Sequence, residues 1–250
     1  MNARHGRCLV RRCLGWSAVI GLALSVIACT APRPAAPVGG SLDVMFPDQP
    51  FIEAISNGEV PEGWVVSGTP APETLSIRQI ERFTALNIRA GKQPFALVRK
   101  INASLLATPF LSWAWHVQPP EHGTHPVSIL VELTNREAKS NQPWWKIGGT
   151  PNDTANRLIV LTWDDTALGR GSIIGPIRQQ DHPETARYIA RGGPEQANRW
   201  WVDTVDLSLI HRQIWPRDDQ AMFDIRHIGV SVQATNTQAG MNLAEIRLMR

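Results

Sequence analysis

The chain has 250 residues, 43% hydrophobic and 19% charged, which is enough to bury the core of one large domain or two small ones and excludes a disordered protein. Nineteen Gly and nineteen Pro interrupt it too often for a helical bundle or coiled coil. A formal charge of +3 and a pI near 9.0 suit a nucleic-acid or membrane partner only if the positive charge lies in the folded part.

It does not lie there. Residues 1–28 carry Arg4, Arg7, Arg11 and Arg12 and no acid, followed by an apolar run from Leu14 to Ile27. That run is shorter than the roughly 20 residues a spanning helix needs, so the pattern predicts a signal peptide. Val26-Ile27-Ala28-Cys29 resembles the bacterial lipobox, which implies cleavage before Cys29 and lipidation of its sulfur. Removing residues 1–28 leaves 21 basic against 22 acidic residues, a charge of −1, and no nucleic-acid partner is expected. Cys8 and Cys13 leave with the signal, so the exported domain is expected to use neither a disulfide nor a cysteine nucleophile. Thr30 follows Cys29 where inner-membrane lipoproteins commonly carry Asp, which favours the outer membrane, facing the periplasm. Residues 29–41, rich in Pro and Gly, read as a tether, and 42–250 as a single folded domain.

Period-two alternation and turn residues predict strands over 75–80, 84–90, 95–101, 111–117, 127–133, 158–163, 172–177, 187–190, 200–205, 228–234 and 243–249. In the fourth, Leu111, Trp113, Trp115 and Val117 share one face, with Ser112, Ala114 and His116 on the other. Residues 158–163 are apolar on both faces and read as a central strand. Helical signal is confined to 207–215, with Asp206 as N-cap and Pro216 as stop, and to a single turn over 51–55. The expected fold is all-β, an antiparallel β-sandwich of jelly-roll type with one or two short helices.

Chemistry-bearing motifs are sparse. His122 and His125 sit in a Pro- and Gly-rich loop, where two imidazoles do not share a helical face, so no metal is expected. Asp164-Asp165 and Asp218-Asp219 read as turn residues, as do Arg191-Gly192-Gly193. No phosphate loop, dinucleotide fingerprint or nucleophile elbow is present, and no cofactor is expected. Tryptophan is the informative residue, ten against a single Tyr. Trp144-Trp145 and Trp200-Trp201 are adjacent pairs, and neighbouring strand residues point to opposite faces, so one ring of each pair could be exposed for stacking.

The set Leu111-Ser112-Trp113-Ala114-Trp115, Asn152-Asp153 with Arg157, Trp201-Val202-Asp203 and Ile228–Thr237 resembles a family of bacterial exported proteins, the domain of unknown function 3047. The resemblance spans about Trp64 to Leu248. Asn152 and Thr235-Asn236-Thr237 depart from it where acidic residues are usual. It implies a galactose-binding-like sandwich and no established activity.

Three functions suit this reading. The first is a non-catalytic binding module for a glycan or other envelope component, with Trp144, Trp145, Trp200 and Trp201 stacking and Asn152, Asp153 and Arg157 as polar partners. For Asp153 and Arg157 a structural ion pair is the alternative role. The second is a glycan-cleaving hydrolase or lyase using carboxylates such as Asp164 and Asp203. The third is a structural subunit docking on an envelope protein. The first is preferred, with the membrane contacted only through the N-terminal lipid.

Overall fold

A computed structural model describes residues 40–119, 123–137, 156–178, 183–237 and 239–250. Their strands are β1 (Ser41–Met45), β2 (Trp64–Gly68), β3 (Leu75–Ile80), β4 (Phe83–Arg89), β5 (Phe95–Ser104), β6 (Phe110–Val117), β7 (Val127–Asn135), β8 (Asn156–Asp164), β9 (Ile173–Ile177), β10 (Glu184–Gly192), β11 (Trp200–Asp206), β12 (Phe223–Val232) and β13 (Gly240–Met249). Two helices accompany them, α1 (Gln49–Ser56) and α2 (Leu207–Ile214).

One sheet runs β11-β6-β13-β4-β3, with β1 added alongside the second half of β13, and the other runs β2-β5-β12-β7-β8-β10-β9. Strands with one apolar face must bury it against another layer, and here the layers bury theirs against each other. Leu111, Trp113, Trp115 and Val117 of β6 meet Ile129, Val131 and Leu133 of β7 and Ile228 and Val230 of β12 in one core. Trp113, Trp115 and Trp163 form an edge-to-face chain with ring centroids 5.4 and 5.6 Å apart. The molecule is a β-sandwich of jelly-roll type.

Each of the eleven expected strands has a counterpart. β8 is internal to its sheet and buried on both faces, as its apolar run required. Two short strands, β1 and β2, were not anticipated. β1 sits against the tether composition, and β2 is a five-residue edge strand whose Trp-Val-Val run has no alternation.

The pairing is also not wholly antiparallel. β10 runs parallel to β8, with β9 paired antiparallel on its far side. β12 ends at Val232, so Ala234 is exposed rather than a strand residue. Arg191-Gly192 is the end of β10 and not a turn.

Both helices begin where a carboxylate can accept an orphan amide. Asp48 accepts from the Phe51 N–H at 3.0 Å, and α1 buries Phe51 and Ile55, four residues apart. Asp206 accepts from the Leu209 N–H at 2.9 Å, and α2 buries Leu207, Ile210 and Ile214. The single turn expected over 51–55 is an eight-residue helix.

Candidate functional site

The outer face of the six-stranded sheet carries a row of side chains that crosses five strands in register: Ser76, Asn87, Asn242, His116 and Trp200. Period-two geometry puts all five on the side away from the core. The Ser76 hydroxyl donates to Asn87 Oδ1 at 3.3 Å, Asn87 Nδ2 donates to Asn242 Oδ1 at 2.7 Å, and Asn242 Nδ2 donates to the His116 carbonyl at 3.4 Å.

Beside this row lies a floor of alanines. Ala85, Ala114 and Ala244 are buried beneath Phe83 and Trp200. A methyl is all that the floor raises above the sheet, so the two large rings can lie across it. Phe83 and Trp200 meet with centroids 4.6 Å apart and planes at 43°, and the His116 ring stands 5.7 Å from Trp200. Both rings are half-buried, so each keeps solvent-facing area. Val202, next outward residue of β11, is 63% exposed and extends the apolar strip, with the Ser112 and Thr204 hydroxyls bonded to each other at 3.1 Å beside it. Trp200 Nε1 and His116 Nδ1 have no hydrogen-bond partner among the described residues.

Trp201 points the other way, as alternation requires. It pairs across from Trp115 on the inner side, donates its Nε1–H to the Gln196 carbonyl at 2.7 Å and lies under the Arg191 guanidinium, 3.7 Å from the ring centroid. That ring is a structural stack with little free face.

Asp203 is not placed as a catalytic carboxylate. It is buried, accepts from Arg191 Nε at 2.8 Å and Nη2 at 2.7 Å, from Arg170 Nη2 at 3.1 Å and from Trp115 Nε1 at 2.9 Å. Arg191 reaches it because β10 is bulged: Ile189 faces Thr162, Ala190 is the extra residue, and Arg191 faces Trp163 on the inner side. The cluster ties one sheet to the other through a bidentate pair. Asp164, the other carboxylate considered, accepts from the Thr124 hydroxyl at 2.8 Å.

Arg157 is the second residue of β8, at one end of the sandwich. It holds Asp218 through Nε at 2.9 Å and Nη2 at 3.2 Å, lies 3.7 Å from Glu184, and covers the Trp215 ring at 5.5 Å. Glu184 also accepts from Trp215 Nε1 at 2.8 Å and Arg178 Nε at 2.8 Å. Desolvation would raise its pKa, but the Arg178 hydrogen bond, the Arg157 charge and the Trp215 hydrogen bond together hold it below the ordinary carboxylate value. Of the two adjacent Asp residues, Asp219 caps a turn by accepting from the Ala221 N–H, and Asp218 is the ion-pair partner.

Of the residues expected to bind, Trp200 and Trp201 are thus on opposite faces of one sheet, and Arg157 belongs to the other sheet with different neighbours. Trp144, Trp145, Asn152, Asp153 and Cys29 lie outside the described residues. Phe83, Asn87 and Asn242 were not anticipated. The alternation that put Ser112, Ala114 and His116 on the outer face of β6 was the signal for them, since Ala85 and Ala244 continue the same small-residue row.

No family model matches the chain, and no curated protein does. Solved structures with a similar course include a family 11 carbohydrate-binding module from Clostridium thermocellum, with TM-score 0.40 and 8% identity, covering 84% of this chain and 94% of the module. A cellulase derived from Cel12A of Rhodothermus marinus aligns with TM-score 0.43 and 9% identity over 79% of this chain and 94% of the enzyme. A family 30 carbohydrate-binding module aligns with TM-score 0.41 and 7% identity over 84% and 98%.

Proposed function

We propose that this is an exported lipoprotein of the cell envelope, anchored through Cys29, whose sandwich is a non-catalytic module binding a glycan on the outer face of the six-stranded sheet. The observation that carries this reading is the Phe83–Trp200 pair laid over Ala85, Ala114 and Ala244 beside exposed hydroxyls. A pyranose has an apolar C–H face and a rim of hydroxyls. An aromatic face removes the first from water, and polar groups alongside meet the second. The carboxylates of the enzyme reading are otherwise engaged, Asp203 by two arginines and Asp164 by Thr124. Membership in the domain of unknown function 3047 belongs to the same proposal.

The purified full chain on an array of envelope polysaccharides and peptidoglycan fragments tests it. Binding is expected, and Trp200→Ala should weaken it at least about tenfold, roughly 1.4 kcal/mol, with Phe83→Ala acting in the same direction. Unchanged affinity in Trp200→Ala would falsify the platform, and no binding to any glycan would remove the function.

A further inference from the structure

The two sheets end on the same flank in β3 and β2, and a cleft of about 360 Å³ opens there, within the range of small-molecule sites. It reaches the core. Leu97, wholly buried, forms part of its lining together with Val66, Leu75 and Ile55. The lining includes Pro70 and Pro72 of the 69–74 connection together with Pro61, and proline offers no N–H and a fixed φ. The cleft is therefore shaped by a stiff rim that provides few donors.

The charges on this lining are of one sign. Among the described residues of the lining, Glu59 and Glu73 are the only ionisable ones, and both are exposed. Glu73 adopts φ +71°, a conformation that glycine would take without strain. The chain on either side of it is fixed by backbone bonds: the Thr74 N–H donates to the Ala71 carbonyl at 3.2 Å, and the Thr74 carbonyl accepts from the Arg89 N–H at 2.9 Å. A carboxylate kept in an uncommon backbone conformation at the mouth of an apolar cleft is an outlier placed where a ligand would enter.

We infer that this cleft is a second ligand site, independent of the Trp200 face, and that it takes an unbranched hydrocarbon chain with a cationic head, of the alkylamine class. The chain would enter between Val66 and Leu75 toward Leu97, and the ammonium would remain at the rim between the two carboxylates. A head group in water beside two acids gains Coulomb energy while still hydrated, and the tail supplies the affinity by leaving water.

Calorimetric titration of the full chain at low ionic strength with n-octylamine, n-octanol and n-octanoate tests the inference. Octylamine should bind at least tenfold more tightly than octanoate, octanol should fall between, and affinity should rise about fourfold per added methylene from butylamine upward. The Glu59→Gln/Glu73→Gln double variant, changed only at exposed positions, should reduce the amine's advantage over the alcohol to less than twofold. Ala71→Trp, an exposed lip position, should block all three ligands while the thermal transition stays intact. Equal binding of octanoate and octylamine, an amine preference that survives the double variant, or no binding of any of the three overturns it. Trp200→Ala is a control expected to leave every one of these values unchanged.

Discussion

At the scale of single residues, burial decides what charge can do. Asp203 reads from the sequence as a strand residue and a candidate catalytic carboxylate, but it is buried against Arg191 and Arg170, and removing it would strand a buried guanidinium. Asp203→Ala is expected to cost about 3–5 kcal/mol, measured by urea unfolding, and a loss below 1 kcal/mol would show that the sheets do not depend on this pair. His125 and His211 behave as interior histidines. Burial pushes each pKa down to about 4 from 6.5, against opposing contributions from the Val127 backbone for His125 and from Asp218 for His211. Above pH 6.5 both states are neutral and these groups contribute no pH dependence. As pH falls from 6.5 towards 4, the unfolded chain takes up protons that the folded chain refuses, so stability falls by up to about 1.4 kcal/mol per pH unit for each histidine. Urea midpoints between pH 6.5 and 5 should decline accordingly, and His125→Gln or His211→Gln should each flatten the slope by about one proton.

At the scale of elements, local signals held wherever the chain could satisfy itself nearby. α2 starts at Asp206 because its carboxylate reaches the Leu209 N–H, and Asp206→Ala should cost about 1 kcal/mol in thermal unfolding. The β3–β4 hairpin carries positive φ at Glu81, 54°, the first of its two loop residues. Glycine is favoured at such a position in a two-residue hairpin, so Glu81→Gly is expected to stabilise by about 1 kcal/mol. Gly229 has a different reason for being glycine. A Cβ there would stand 2.0 Å from the Leu97 carbonyl oxygen of the neighbouring strand, so Gly229→Ala should leave little folded protein at 37 °C, as read by circular dichroism. Elements that depend on distant partners were less legible. β2 is held as an edge strand by β5, and β10 runs parallel to β8 through a crossover, neither of which is announced by alternation.

At the scale of the whole molecule, two layers of strands explain both the aromatic composition and the proposed sites. Of the seven tryptophans among the described residues, five, Trp64, Trp113, Trp115, Trp163 and Trp215, are buried, so most of these rings build core rather than surface. Trp113→Ala should accordingly cost about 3–5 kcal/mol, checked by urea unfolding, whereas Trp200→Ala should act mainly on binding. The proposed Cys29 anchor is tested at this scale too: Cys29→Ser should move the protein from the membrane fraction to the soluble fraction without changing the stability of the domain.

Periodicity alone pointed to a β-sandwich and determined eleven of its strands, with a capped helix after the ninth of those eleven, because alternation and capping are written in residues two to four apart. The exposed-or-buried fate of Trp200 and Trp201 was half determined: opposite faces follow from the pleat, but which face meets the core does not. Tertiary structure decided that Trp200 lies over alanines from three other strands and that Trp201 is stacked under Arg191. It decided as well that Asp203 is spent on two arginines. Those outcomes turn on strand order and on one bulge in β10, which join residues tens of positions apart, and no local pattern records such pairings.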